Sequence, residues 1–409
     1  MIQRSRIRTL DLIRGIAVLG ILAINVVSFA GPGSAFFSPN LPSQGSTADN
    51  WVFAFKLVFF EGKMRAMFAM LFGASLLLYL DRREAAGHDG LWLQVRRLCW
   101  LGLFGLLHFA LFWDGDILFL YACVGFGALI LRHAPPTSLI VVALTTFAFW
   151  QAFGITSWLP SVQREISVLH STASPREAGI HREILAENRR EDRIVKDAAL
   201  TPFTQAVRNR LSSQADRPLR ILAYNWGEAF SYMLIGMALL RSGFFAGQWP
   251  APRLRRLAVI GAGAGLLLTA AFVAWAHPRG YPELTMHLAL GYALGLPHLL
   301  TALGYMALLV MVAPRLLATS LGQRLEAAGK AAFTNYLGST VLMTAIFSGW
   351  GLALYGQFGT AQQVWFVLLA WAIMLGWSKP WLARFRQGPL EWLWRCLSDW
   401  QIKPLRSSS

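Results

Sequence analysis

Inside the long apolar runs of this sequence sit a few side chains able to move protons or hold anions. His108 interrupts the run 96–116, which two arginines open and Asp114-Gly115-Asp116 closes. Imidazole exchanges protons near neutral pH, so His108 is the candidate general base. A carboxylate orienting the ring would strengthen that role, and Asp114 and Asp116 are the nearest in sequence. On a continuous helix, however, the six positions from His108 to Asp114 turn the side chain about 120° away. A direct Asp–His pair therefore does not follow from spacing, and Glu61 or Glu228 is an alternative partner. The Asp-Gly-Asp also reads simply as a tight turn at a membrane surface.

Arg14 follows Asp11 by three positions, which places both on one helix face as an ion pair. The alternative is an arginine held ready for an anionic group such as phosphate. Asn25 lies about 16 Å beyond Arg14 along a helix, and His108 as far beyond Arg97, so the two reach similar depth. Glu61, Lys63 and Arg65 fall within five residues. They read either as an ion-paired cluster at a re-entrant bend or as a site that binds an anion or polarises an acyl carbonyl. Asn225, Glu228, His287 and His298 each read as single polar residues inside apolar runs. Thr334-Asn335-Tyr336, just after Lys330, offers donors and acceptors where a cytosolic ligand would enter.

Positioning these groups takes a membrane. The 409 residues are 55% hydrophobic and 14% charged, against about 25% charged in soluble domains. The net charge of +16 is scattered between apolar runs rather than gathered in a patch, which excludes nucleic acid as a partner. Cys99, Cys123 and Cys396 form no CxxC, so neither a disulfide framework nor a metal site is expected. Apolar stretches at 10–30, 51–80, 97–113, 116–132, 137–159, 220–241, 256–277, 285–313, 331–355 and 362–383 predict an all-α bundle of about ten spans. The first is too long and too polar for a cleavable signal and reads as a permanent span. With both termini in the cytoplasm, the inner segments hold twenty Lys and Arg, and the short outer loops hold only Arg279. The expected organisation is a five-span half at 1–159, a polar outer helical insert at 160–219, a second five-span half at 220–383, and a basic amphipathic cytoplasmic tail at 384–409.

Five blocks together resemble the YeiB-type bacterial membrane proteins, a family of unknown function. They are Arg8-Thr9-Leu10-Asp11-Leu12-Ile13-Arg14-Gly15 with Asn25; Phe60-Glu61-Gly62-Lys63-Met64-Arg65 through Leu71-Phe72-Gly73; and His108 with Trp113-Asp114-Gly115-Asp116-Ile117-Leu118. The others are Gly329-Lys330 with Thr334-Asn335-Tyr336-Leu337, and the tail Gly388-Pro389-Leu390-Glu391-Trp392-Leu393-Trp394-Arg395. YeiB-type proteins look related to transmembrane acyltransferases such as heparan-alpha-glucosaminide N-acetyltransferase and the bacterial O-acyltransferases of surface polysaccharides. That likeness implies an acyl group passed from cytosolic acyl-CoA across the membrane. The polysaccharide enzymes carry an arginine and, after ten residues, a histidine in the first span. Arg14 matches, but Asn25 stands where the histidine would be, so the base must be His108 or the chemistry must differ.

The expectation is an inner-membrane acyltransferase in which donor enters near Arg14, Asn335 and Tyr336 and acceptor approaches past Asp114 and Asp116. His108 would deprotonate the acceptor while Asn25, Lys63 and Arg65 stabilise developing negative charge. The alternative is a transporter or lipid- or solute-binding protein, whose intramembrane charges bind a solute or relay protons without covalent chemistry.

Overall fold

The computed structural model describes residues 7–406; Arg4 and Arg6 of the basic amino terminus lie outside them. The described residues form helices and no strand, and a helix occupies every one of the ten predicted spans. The first half comprises α1 (Arg8–Ala30), α2 (Thr47–Phe59), α3 (Lys63–Ala85), α4 (Gly90–Leu111), α5 (Leu118–Ile130) and α6 (Pro136–Leu169). Two polar helices follow, α7 (Pro175–Ala199) and α8 (Phe203–Ser213). The second half comprises α9 (Arg217–Arg241), α10 (Ala251–Leu257), α11 (Gly263–Ala276), α12 (Glu283–Leu288), α13 (Gly295–Leu316), α14 (Ser320–Lys330), α15 (Ala332–Phe347), α16 (Thr360–Arg384) and α17 (Pro389–Asp399).

Six stretches are long and apolar enough to cross a membrane: α1, α2–α3 taken together, α6, α10–α11, α13 and α16. The apolar helices α5 and α15 are shorter. The other two predicted spans, α4 and α9, carry arginines at their ends. The chain is a multi-pass membrane protein, a polytopic helix bundle. Its centre is α1, whose most apolar window is 72% buried, packed with α3, α13, α14, α15 and α16; the matching windows of α10–α11 and α16 are only 22% buried. Those outer helices present Leu267, Leu268, Trp365, Leu368 and Ile373 to the surroundings. A helix exposing such a face needs lipid around it.

Glycines set the closest crossings in the centre. A Cβ on Gly236 of α9 would lie 1.8 Å from the Met70 carbonyl oxygen of α3, and one on Gly329 of α14 would lie 1.7 Å from that of Asp11 in α1. Backbones meet where side chains would hold them apart. The glycine-rich stretch 261–265 behaves alike, with Gly261 and Gly265 closing on α13. The second span breaks at Gly62, whose φ of +72° ends α2 and restarts the chain as α3. Lys63 closes the break by donating from Nζ to the Leu57 carbonyl at 2.7 Å. The polar segment departs from its expected start, because α6 continues through Pro160 to Leu169. The α7–α8 segment lies across the end of the bundle that carries the α4–α5 turn. Asp192 accepts from the Ser34 amide, Ala199 from the Gly349 amide, and Arg210 reaches the end of α4.

Candidate functional site

The last turn of α4 carries His108, and α4 stops there because the chain reverses. The amides of Phe112 and Trp113 both donate to the His108 carbonyl, and Asp114-Gly115 turns the backbone into α5. The reversal returns Asp116 to the imidazole: Nδ1 and Oδ1 are 2.7 Å apart, and both side chains are buried. The other oxygen of Asp116 accepts the Phe119 amide at 3.1 Å and so caps the start of α5. Spacing along a continuous helix argued against an Asp–His pair, and Glu61 or Glu228 was the alternative. The pair is nevertheless His108–Asp116, because the helix ends three residues after the histidine. Gly105 makes room, since a Cβ there would lie 2.7 Å from Asp116 Oδ2. With Nδ1 engaged by a carboxylate, Nε2 is the ring atom left to exchange a proton. It is buried and has no hydrogen-bond partner.

Asp114 does not join this pair. It is half-buried and lies 3.8 Å from Arg217 at the start of α9. Arg210 of α8 donates to the Ala110 and Leu111 carbonyls at 3.0 and 2.7 Å, capping the helix that carries His108 from the outer side. Burial pushes the Arg210 guanidinium down from its ordinary value, against the pull of Asp114.

Toward the start of α4, a cavity of about 540 Å³ runs between α1, α3, α4, α5, α14, α15 and α17. Exposed Arg82 and Arg395 line one end and buried Tyr121 and Tyr336 the other. Arg14, Arg83, Arg97 and Lys330 bring its cations to six, against one carboxylate, Glu391. Arg14 pairs with Asp11 at 2.9 Å, as the spacing predicts, and donates to Ser75 Oγ at 2.7 Å. The Arg97 guanidinium is sandwiched 4.0 Å from the Tyr79 ring and 4.2 Å from that of Trp394. Glu391 is occupied by the amides of Phe333 and Thr334 and the Thr334 hydroxyl. Burial pushes its carboxyl above the ordinary range despite those donors.

Tyr336 joins the two regions. It walls the cavity, and its ring centroid is 5.6 Å from that of His108. Asn335, beside it, faces elsewhere: it donates to the Ala328 carbonyl and Ser378 Oγ and accepts from the Trp377 indole, knotting α14, α15 and α16.

The remaining predicted residues stand apart. Arg65 pairs with Glu228 at 3.2 Å between α3 and α9, and Glu228 accepts the Tyr232 hydroxyl at 2.8 Å. Glu61 and Lys63 are buried at the α2–α3 break, facing His298 across Gly62. None of Glu61, Lys63, Arg65 and Glu228 lines the cavity or contacts His108. Asn25 is half-buried and makes no side-chain hydrogen bond. Sequence reasoning passed over Tyr121, Arg97, Trp394 and Arg210. The signal for Tyr121 was a phenol inside a run of apolar residues, since a buried hydroxyl needs a partner or a use.

A family model described as "Protein of unknown function (DUF418)" matches residues 239–401. The chain is 32% identical over 393 residues to "Uncharacterized protein YeiB" of Escherichia coli (strain K12), covering 95% of each. The chain belongs to the YeiB-type DUF418 family. Another relative is "Uncharacterized protein YxaH" of Bacillus subtilis (strain 168), 30% identical over 98% of this chain and 96% of that one. An "Uncharacterized 39.9 kDa protein in amylase 3'region" from Bacillus acidopullulyticus is 26% identical over 96% of this chain and 94% of its own length. No solved structure matches the chain. Two of these DUF418 relatives reach 30% identity or more over nearly the whole length, so the similarity spans both the His108 turn and the inner cavity.

Proposed function

We propose that this protein is an acyltransferase of the bacterial inner membrane, taking an acyl group from a cytosolic acyl-CoA-type donor. The acceptor is a hydroxyl or amine of an envelope component or small molecule. The observation that carries the reading is the buried His108–Asp116 pair, with Nε2 unpartnered, set behind a tyrosine wall of a six-cation cavity. Phosphates are the anions that such an arginine-rich mouth suits, and the volume lies within the ordinary range for ligand pockets.

The chemistry balances with these groups alone. His108 Nε2 takes the acceptor's O–H or N–H proton as the acceptor atom attacks the thioester carbon. The C–S bond breaks, and the thiolate leaves as a thiol carrying the proton from the imidazolium. Asp116 holds the ring's orientation and balances its charge meanwhile. Lys63 and Arg65 lie outside the cavity, so they serve this chemistry only through the packing of α3.

The test is transfer of label from radiolabelled acetyl-CoA to an extract of envelope acceptors by the purified protein. His108→Ala should abolish label transfer and thiol release, whereas His170→Ala, at the exposed end of α6, should leave both intact. Wild-type protein that neither binds nor consumes acetyl-CoA sinks the reading. A second reading, solute passage without covalent chemistry, draws on the line from half-buried Arg65 to buried Glu228 and Tyr232 between α3 and α9. It requires flux into proteoliposomes that Arg65→Ala removes.

A further inference from the structure

Acyl transfer places a negative charge on the carbonyl oxygen as the tetrahedral intermediate forms, and donors must already stand there to receive it. The cations nearest in sequence terms are unsuited to the task. Lys63 Nζ is held by the Leu57 carbonyl, and Arg65 by Glu228. Arg14 is held by Asp11 and Ser75.

Two other groups are free. The hydroxyls of Tyr121 and Tyr336 are buried with no hydrogen-bond partner, and both residues line the closed end of the cavity. An orphaned buried hydroxyl is destabilising, and two at one place call for an explanation. The tyrosines are electrostatic neighbours of each other, and Tyr336 is also one of Asp116. The Ile117 amide acts on the Tyr336 oxygen but falls short of hydrogen-bond geometry, which leaves the phenolic proton available. A third orphan, His108 Nε2, belongs to the ring 5.6 Å from that of Tyr336. The closed end thus presents two O–H donors without partners, and the unpartnered base lies directly behind Tyr336.

We infer that Tyr121 and Tyr336 form the oxyanion site of the transfer, donating two hydrogen bonds to the thioester oxygen. This rests on the donor reading above and adds to it the groups that hold the charge. In the step, the C=O π electrons move onto oxygen as the acceptor–carbon bond forms, and the two phenols donate without giving up their protons. Collapse restores the C=O bond and expels the thiolate, which takes the proton held by His108.

The probe is the acetyl-CoA isostere in which a methylene replaces the thioester sulfur, labelled with ¹³C at the carbonyl. Its ketone occupies the thioester's place but is not transferred, so isotope-edited infrared spectra read the hydrogen bonds independently of turnover. In wild type the bound carbonyl band should lie at lower wavenumber than in Tyr121→Phe or Tyr336→Phe, and highest in the double variant. Affinity for the isostere should be retained in all of them, which also shows that they fold. With acetyl-CoA, each single variant should lose about 100-fold in kcat with KM little changed. An isostere that binds with the same band position in all four proteins overturns the inference and leaves the donor reading standing. Failure of wild type to bind either CoA compound overturns both.

Discussion

His108 and Asp116 meet because a helix ends early. On an unbroken helix Asp114 would face about 120° away from the imidazole and Asp116 would lie about 12 Å along the axis from it, and that reading fails where the α4 hydrogen-bond ladder stops at Phe112. The ionisable residues themselves were legible, since each stood out against an apolar background. Which of them would meet was not, because the meetings depend on a turn and on helices far apart in sequence. Asp116→Asn keeps the α5 cap but replaces the carboxylate that balances the imidazolium. Acyl transfer should fall about 100-fold or more with donor affinity retained, a split readable as kcat against KM. Arg65→Ala strands the Glu228 carboxylate, which is buried apart from this ion pair and the Tyr232 hydroxyl. The loss of stability should be on the order of 3 kcal/mol. Adding Glu228→Gln should restore much of it, measured by thermal unfolding in detergent.

At the scale of elements, α4 and α5 approach closely only because residue 105 has no side chain. A Cβ there would meet the Phe119 amide nitrogen at 2.4 Å as well as Asp116. Backbone does not yield as a flexible side chain does, so Gly105→Ala should cost about 1–3 kcal/mol and separate the dyad, with loss of transfer. Gly338→Ala, in α15 with nothing near its added methyl, is the matched control and should unfold at or slightly above the wild-type temperature. The α17 helix closes the inner cavity through Trp394 against Arg97 and through Asp399, which pairs with Arg83 and Lys403 and accepts the Tyr79 hydroxyl. Burial opposes ionisation of Asp399, but Lys403 and Arg83 outweigh it and hold the carboxyl below its ordinary 3.8. A depressed carboxyl stabilises above its unfolded value and loses that contribution as pH falls through the folded one. Hydrogen exchange of 389–399 should therefore stay slow from pH 5 to 8, and Asp399→Asn at pH 7 should speed it. Unchanged exchange in that variant removes Asp399 as the latch.

For the whole molecule, the cavity and the dyad matter only if they face different compartments. The spans were legible because lipid imposes about 20 apolar residues on each crossing. The cavity was not, since seven helices from across the chain build it and no one of them carries its pattern. The arginine asymmetry predicts the orientation, with Arg82 and Arg395 in the cytosol and the α7–α8 segment outside. Single cysteines in a variant lacking Cys99, Cys123 and Cys396 test it. Ser43→Cys in the outer loop and Ala186→Cys on α7 are exposed sites, as is His88→Cys between α3 and α4. On intact spheroplasts a membrane-impermeant maleimide should label the first two, and His88→Cys only after permeabilisation. The reverse pattern would turn the six-cation mouth away from every cytosolic acyl-CoA, leaving the dyad's Nε2 with no donor on the side where the cavity opens.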